Sequence, residues 1–243
     1  LAGYRDRAPA DLGALHDVLI AVSQMLADLP HLAELDINPL WLDEHGALAL
    51  DARLRVSAQP VAGAERFAIR PYPAHWVRHE RWNGQVLTVR PIRPEDEPQH
   101  RRFIDRLAPD DLRLRFFHPR RDFAHAELAR LTQIDYDREM AFVAETTAAD
   151  GTRDTLGVAR ASTDPDNFEA EFAVVVRSDL KGLGLGRLLL QRLEDYVRSR
   201  GTRQLAGLVL AENQAMLGLT WALGYAARPG EGSNTVWMIK PLV

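Results

Sequence analysis

Apolar residues recur three or four positions apart from Leu12 to Leu26, with Asp11 in front as a candidate N-cap and Pro30 behind as a stop signal. This spacing predicts one amphipathic helix. Two alternating apolar stretches follow, Leu35–Leu42 and Ala47–Val56, and they suit a pair of strands joined by a polar turn. We therefore expect an α-β-β unit of about fifty residues, which is too small to close a hydrophobic core alone.

Periodicity is lost between Ser57 and Gly84, where prolines and small residues are frequent, and this segment is predicted to be a linker. Regular patterns return at Gln85. Strands are predicted at 86–92, 140–145, 155–162, 169–176, 204–210 and 234–239, and helices at 94–107, 122–131, 184–200 and 213–223. Short polar turns between successive strands imply antiparallel pairing, so the fold class is α/β of the α+β type.

Composition is that of an ordinary soluble globular protein, with 46% hydrophobic and 26% charged residues among 243. The apolar runs are too short to span a bilayer and no signal pattern is present, so we expect a cytoplasmic protein without membrane contact. The absence of cysteine excludes disulfides, thiolate nucleophiles and sulfur-ligated zinc. A net charge of −4 argues against nucleic acid as a partner. Because the chain opens on Leu1, we expect it to be part of a longer protein.

A glycine-rich turn follows the strand predicted at 169–176 and leads into an amphipathic helix. Glycines at 182, 184 and 186 let the backbone bend, and the free N–H groups of the first helical turn form an anion site. The glycine count alone is equally typical of a tight strand-to-helix turn. A dinucleotide-binding turn would belong to a parallel βαβ unit, whereas this one follows antiparallel strands.

This turn resembles the signature of the GNAT superfamily of N-acetyltransferases, with Lys181, Gly184 and Gly186 at its basic and glycine positions. Asn213 and Gly224-Tyr225 match the spacing of a second motif of the family. The resemblance covers residues 85–243 and implies a mixed, mostly antiparallel twisted sheet flanked by helices. It also implies acetyl-CoA as the cosubstrate. The residues expected to hold acetyl-CoA are Val174, Val175, Val176, Lys181, Gly182, Leu183, Gly184, Leu185, Gly186, Arg187 and Asn213.

The first segment resembles the end of the ATP-grasp subunit of ADP-forming acyl-CoA synthetases, in which residues matching Asn38 and Asp51 hold Mg²⁺. Most of that fold is absent from the chain, so we interpret both as remnants and expect no metal site. The expected organisation is an ATP-grasp remnant at 1–60, a linker at 61–84 and the acetyltransferase domain at 85–243. This order is similar to that of bacterial Pat-type protein lysine acetyltransferases, and the stretch 133–140 fits that group.

A lysine amine must lose a proton before it attacks a thioester, so the reaction needs a base. Glu171 is our candidate and Glu169 the reserve, since alternation places both on the strand face opposite Phe172. A solvated strand face is the alternative. We also expect a backbone N–H at Val174 or Val175, on a splayed strand, to stabilise the thioester oxygen.

Many members of the superfamily protonate the leaving thiolate with a tyrosine seven residues after the motif asparagine, where this chain has Thr220. We therefore expect water to protonate the thiolate. Asn213 could bond the pantetheine, a water, or simply cap the helix that follows. A second cluster, Arg113, Arg115, Arg120 and Arg121 around Phe116-Phe117, favours a structural or substrate-docking patch over nucleic-acid binding.

The expected function is acetyl transfer from acetyl-CoA to a protein lysine in a ternary complex. The acceptor could be a metabolic enzyme such as an acyl-CoA synthetase. The alternatives are acetylation of a small amine, a CoA-sensing module without turnover, and a working acyl-CoA ligase, which the truncated ATP-grasp segment favours least.

Overall fold

The computed structural model describes residues 1, 3, 8–61, 67, 70–118, 122–230 and 234–242. They belong to two compact units, residues 1–71 and residues 72–243. The helices are α1 Leu12–Asp28, α2 Glu97–Asp105, α3 Pro109–Phe116, α4 His125–Thr132, α5 Leu185–Ser199 and α6 Gln214–Ala222. The strands are β1 Leu32–Ile37, β2 Leu40–Asp43, β3 Gly46–Ala49, β4 Ala52–Val56, β5 Arg78–Trp82, β6 Gln85–Pro91, β7 Glu139–Thr147, β8 Arg153–Thr163, β9 Glu169–Val176, β10 Gln204–Leu210, β11 Ala226–Pro229 and β12 Thr235–Pro241.

In the first unit, α1 begins where predicted, because the Asp11 carboxylate accepts a hydrogen bond from the Ala14 backbone N–H at 3.0 Å. Four short strands follow instead of the two expected: β1 pairs with β4 and β2 with β3, all antiparallel. The first expected strand, 35–42, is broken at Pro39, which has no N–H to donate to a ladder. Leu32 is the one buried hydrophobic residue among those described in this unit, so the unit has almost no core of its own.

The second unit is built on an eight-stranded sheet with the order β11-β12-β10-β9-β8-β7-β6-β5. Every neighbouring pair is antiparallel except β9 and β10, which are parallel. The structure thus confirms the predicted mixed, mostly antiparallel sheet flanked by helices.

Helices cover both faces of this sheet and form a core on each. On one face, α5 and α6 pack against the even-numbered residues of β9, including Phe172 and Val174. On the other face, α2, α3 and α4 pack against β7 and β8, with Val175 at the edge of the cluster. Odd-numbered β9 residues, Glu171 among them, therefore lie on the side of α2–α4.

The segment from Tyr72 to Gly84 falls within the second unit, whereas the sequence analysis placed it in a linker at 61–84. Residues 62–66, 68 and 69 of that linker lie outside the described residues. Within it, β5 forms the edge strand of the sheet and pairs with β6. The sequence of β5, Arg-His-Glu-Arg-Trp, shows no apolar alternation because an edge strand keeps most of its side chains in solvent. Its last residue, Trp82, is buried.

Two further elements have no counterpart in the sequence analysis, α3 and β11. Helix α3 is only 8 residues long and contains four charged residues, which hides its periodicity. Strand β11 consists of four exposed residues, Ala226–Pro229, at the other edge of the sheet. Sequence periodicity predicts an element only when one face of it is apolar and buried. Helix α3 is short and charged and β11 is exposed, so neither produces a clear apolar repeat.

Candidate functional site

An opening lies between the two parallel strands at the centre of the sheet. β9 and β10 pair only over their first residues, 169–171 with 204–206. Beyond Glu171 the strands separate, since β9 stays with β8 up to Val176 whereas β10 stays with β12 up to Leu210. A cavity of about 520 Å³ occupies this opening, with walls from β9, the following turn, α3, α5, β10 and α6.

Backbone N–H groups of β9 point alternately toward β8 and into this opening. The Arg177 N–H donates to the Leu156 carbonyl of β8 at 2.8 Å. Because N–H directions alternate along a strand, the Val175 N–H also faces β8 and the Val174 N–H faces the opening. Of the two donors that the sequence analysis leaves open, Val174 is therefore the one directed at the cavity.

The turn from β9 into α5 depends on two glycines with left-handed backbone, Gly182 at φ 76° and Gly184 at φ 82°. Gly184 is the N-cap of α5, and nothing lies within 4 Å of a Cβ placed on either glycine. Residues 185–187, whose N–H groups have no acceptor inside the helix, line the cavity. The arrangement forms a cradle for an anionic group.

The indole of Trp82 holds this turn in place from the side. Its N–H donates to the Leu183 carbonyl at 2.9 Å. Leu183 itself is exposed and is not among the residues that line the cavity. Leu183 therefore fixes the turn through its backbone carbonyl, and its side chain does not form part of the cavity wall.

Lys181 connects the turn to the start of α3. Its ammonium forms an ion pair with the carboxylate of Asp111, whose side chain is only 6% exposed. The Ser178 hydroxyl donates to the other oxygen of Asp111 at 2.5 Å and accepts from the Ala108 N–H at 2.8 Å. The Lys181 side chain remains half exposed, so it can also reach an anion in the cradle.

The two candidate bases have different surroundings. Glu171 is exposed and lines the cavity where β9 and β10 part. Glu169 lies two residues earlier, where the strands still pair, and accepts a hydrogen bond from the Gln204 side chain at 2.5 Å. The structure therefore brings Glu171 to the cavity and leaves Glu169 outside its lining.

Asn213 lines the cavity and also caps α6, because its side-chain oxygen accepts from the Met216 N–H at 3.1 Å. Thr220 is fully buried, and its hydroxyl donates within its own helix to the carbonyls of Met216 and Leu217. Thr220 is not among the residues that line the cavity.

Residues of α3 and the turn after it complete the cavity, namely Asp111, Leu114, Arg115 and Phe117. The sequence analysis named Arg115 and Phe117 within a structural or substrate-docking patch, whereas it did not name Asp111 and Leu114. A signal for this helix was available: Pro109 at its first position, two aspartates in its first turn and two arginines in its last. Of the arginine cluster named in the sequence analysis, Arg120 and Arg121 lie outside the described residues.

In the first unit, Asn38 and Asp51 are joined through their backbones, with the Asn38 N–H donating to the Asp51 carbonyl at 3.1 Å. Over the described parts of the chain, no group of three or more histidine, aspartate or glutamate side chains could hold a metal ion. Nor does any helix within those parts have the length and apolar character needed to cross a membrane.

Comparison with known families divides the chain in the same way. A model described as the acetyltransferase (GNAT) family matches residues 102–225, and one described as an ATP-grasp domain matches residues 1–56. An acetyltransferase of Pseudomonas aeruginosa is 35% identical over 161 residues, which are 66% of this chain and 86% of that protein. The beta subunit of ADP-forming acetate–CoA ligase I of Pyrococcus furiosus is 41% identical over 54 residues, 22% of this chain but only 23% of that subunit.

Solved structures agree with the second unit. The GNAT domain of PAT from S. lividans has a TM-score of 0.64 at 25% identity, with 70% of this chain and 99% of that chain covered. Spermidine N-acetyltransferase from Vibrio cholerae, solved with CoA and spermine, has a TM-score of 0.52 at 18% identity, with 64% and 95% covered.

Proposed function

Because this chain belongs to the GNAT family of acetyltransferases, which use acetyl-CoA as acyl donor, we propose that it transfers the acetyl group to side-chain amines of protein lysines. The observation that carries the proposal is a single cavity that joins a glycine cradle at one end to the Glu171 carboxylate at the other. The cradle suits the donor and the carboxylate suits an amine acceptor.

The residues present fit the donor. Gly182 and Gly184 leave open space above the turn, so a pyrophosphate can approach the free N–H groups of residues 185–187. Lys181 adds a positive charge beside them. The separation of β9 from β10 leaves an edge of β9, from Phe172 to Val176, on which an extended pantetheine arm could form hydrogen bonds.

For the chemistry, we assign the base to Glu171 and the oxyanion donor to the Val174 N–H. Glu171 takes a proton from the ammonium of the acceptor, directly or through one water, and the neutral amine attacks the thioester carbonyl carbon. The carbonyl oxygen gains negative charge, which the Val174 N–H stabilises. The C–S bond then breaks as the amide forms; the attacking nitrogen gives its second proton to water, and the CoA thiolate takes a proton from that water. Asn213 contacts the donor from the cap of α6.

A protein lysine as acceptor is supported by the order of segments along the chain. An ATP-grasp match at 1–56 precedes the GNAT match, which is the order that resembles bacterial Pat-type protein lysine acetyltransferases. On the same ground we propose that the acceptor protein is an acyl-CoA synthetase or a related metabolic enzyme.

A small amine is the competing acceptor, since the similar folds include a spermidine N-acetyltransferase. Incubation of the chain with acetyl-CoA and a cell lysate, followed by mass spectrometry of acetylated lysines, separates the two. We expect a limited set of lysines to be acetylated by the wild type and not by Glu171→Gln. Acetylation of small amines without acetylation of proteins would identify the acceptor as a small amine instead of a protein lysine. Acetyl-CoA binding without any acetylated product would indicate a CoA sensor.

A further inference from the structure

Arg115 lines the cavity but makes no hydrogen bond or ion pair with any of the described residues. Arg115, on α3, is half-buried and lines the cavity together with Glu171. Among the described residues, none accepts a hydrogen bond from its guanidinium or forms an ion pair with it, and its Cζ lies 4.7 Å from the centre of the Phe116 ring. Arg113, two residues earlier on the same helix, is ion-paired with Glu212.

A second observation lies directly behind Arg115. A small cavity of about 20 Å³, enough for one water, is lined by Arg115, Arg160 and His100. His100 is only 5% exposed, and its Nδ1 has no hydrogen-bond partner. Burial, together with the positive charges of Arg160 and Arg115, lowers the pKa of His100 to about 4, so the ring is neutral at pH 7.

Among the described residues, no acidic side chain lies close enough to Arg115 to form an ion pair with it. Arg160 is satisfied, because it donates to the Leu131 carbonyl and is paired with Glu139 at 3.3 Å. Glu171 acts on the charge of Arg115 from a distance, without forming an ion pair. Burial and the nearby Arg160 lower the pKa of Arg115 to about 10, which still leaves it protonated at pH 7.

A guanidinium that lines a cavity and makes no hydrogen bond with the described residues keeps its five N–H groups available to an anion. Its planar fork matches the two oxygens of a carboxylate, which it can bind with two parallel hydrogen bonds. Arg115 lies on the side of the sheet that also carries Glu171, which is where the proposed function places the acceptor amine. An anion bound by Arg115 would thus be part of the acceptor.

We propose that Arg115 binds a carboxylate of the acceptor, so that the enzyme selects amines that carry a carboxylate close by. This inference rests on the proposed function for the position of the amine. The carboxylate has two possible sources: an acidic side chain beside the target lysine of a protein, or the carboxylate of a free amino acid. Arg115 is then a specificity-determining residue.

The test uses two matched pairs of acceptors. One pair is a lysine peptide with glutamate beside the lysine and the same peptide with glutamine. The other is a free amino acid and its amide. We expect wild type to favour the acidic member of one of the two pairs by ~10–100-fold in kcat/KM, mainly through KM, as for a charge-assisted hydrogen bond. The pair that shows the preference identifies the source.

Variants of α3 assign the preference to one residue. In Arg115→Gln the ratio should fall to about 1 with acetyl-CoA affinity unchanged, and Arg115→Lys should retain part of it because the charge remains. Arg113→Gln, the matched control on the same helix, should keep the full ratio. Binding of each acceptor to the CoA-loaded protein is measured by calorimetry in parallel, so that the comparison does not depend on turnover.

No preference for the acidic member of either pair, in rate or in binding, overturns the inference, as does an equal loss in Arg113→Gln and Arg115→Gln. Acetylation of lysines without such a preference leaves the proposed function standing. Absence of any acetylated product refutes the proposed function, and the calorimetric comparison then still decides whether Arg115 binds a carboxylate.

Discussion

Replacement of Gly184 by alanine tests whether the turn before α5 binds the donor. Gly184 has φ 82° and forms the N-cap of α5, while a Cβ added there would meet nothing within 4 Å. The methyl group therefore has room, and the cost is confined to the backbone, since a left-handed conformation is unfavourable for a non-glycine residue by about 1–2 kcal/mol. If the turn relaxes to avoid this strain, the N–H groups of residues 185–187 no longer converge.

Acetyl-CoA must then restore the turn when it binds, and the same 1–2 kcal/mol corresponds to a dissociation constant ~5–30-fold higher than that of wild type. Titration calorimetry with acetyl-CoA measures the dissociation constant, and thermal unfolding without ligand measures the stability. Gly184→Val should bind still more weakly, because a β-branched residue tolerates positive φ least.

Gly186→Ala is the matched control two residues later. At this position φ is not left-handed, and the added Cβ would lie 3.5 Å from the Leu219 side chain and 3.7 Å from that of Val176, which are ordinary contacts. Alanine within a helix is favoured over glycine by about 0.5–1 kcal/mol, so stability should hold or rise. Unchanged acetyl-CoA affinity in Gly184→Ala would refute the assignment of the turn. Equal weakening in both variants would refute the argument from φ.

Three further outcomes are expected. Glu171→Gln should lower kcat ~10²–10⁴-fold with little change in acetyl-CoA affinity, because it keeps the shape of the side chain but accepts no proton, whereas Glu169→Gln should be milder; equal rates for wild type and Glu171→Gln would remove Glu171 as the base. Acetyl-CoA should raise the melting temperature and ATP with Mg²⁺ should not, since the chain matches only 23% of the ligase subunit; a shift with ATP would contradict this. Burial lowers the pKa of His100 from 6.5 to about 4. Between these pH values the unfolded chain binds a proton at His100 and the folded chain does not. Folding stability should therefore fall by up to about 1.4 kcal/mol per pH unit as the pH drops from 6.5 toward 4. Urea unfolding at pH 7 and pH 5 should show a smaller loss in His100→Leu, and parallel losses in both proteins would contradict the cause.

Periodicity was sufficient for the elements that bury one face. Strands β9 and β10 have the predicted bounds, and α5 and α6 differ from the prediction by one residue at each end. These elements contribute strongly to the core next to the cavity, so their apolar positions repeat clearly. Periodicity failed for β5, α3 and β11, which are short or lie at an edge of the sheet and keep many side chains in solvent.

Local chemistry likewise predicted parts of the site from neighbouring residues. The glycines of the turn, the capping role of Asn213 and the shared face of Glu169 and Glu171 all follow from spacing along one stretch of chain. Each depends on contacts between residues only a few positions apart.

Which of Glu169 and Glu171 lines the cavity depends instead on where β10 leaves β9, which is a relation between strands more than thirty residues apart. The positions of Asp111 and Arg115 likewise depend on tertiary structure, because both lie on α3, far from the glycine-rich turn in sequence. Lys181 of the turn and its partner Asp111 are 70 positions apart. Alternation along a strand indicates on which face of the sheet a side chain lies. It does not indicate where two neighbouring strands separate, or which helix covers the opening between them. Those relations are set by the packing of the whole sheet, and they determine which of the chemically suitable residues meet in one cavity.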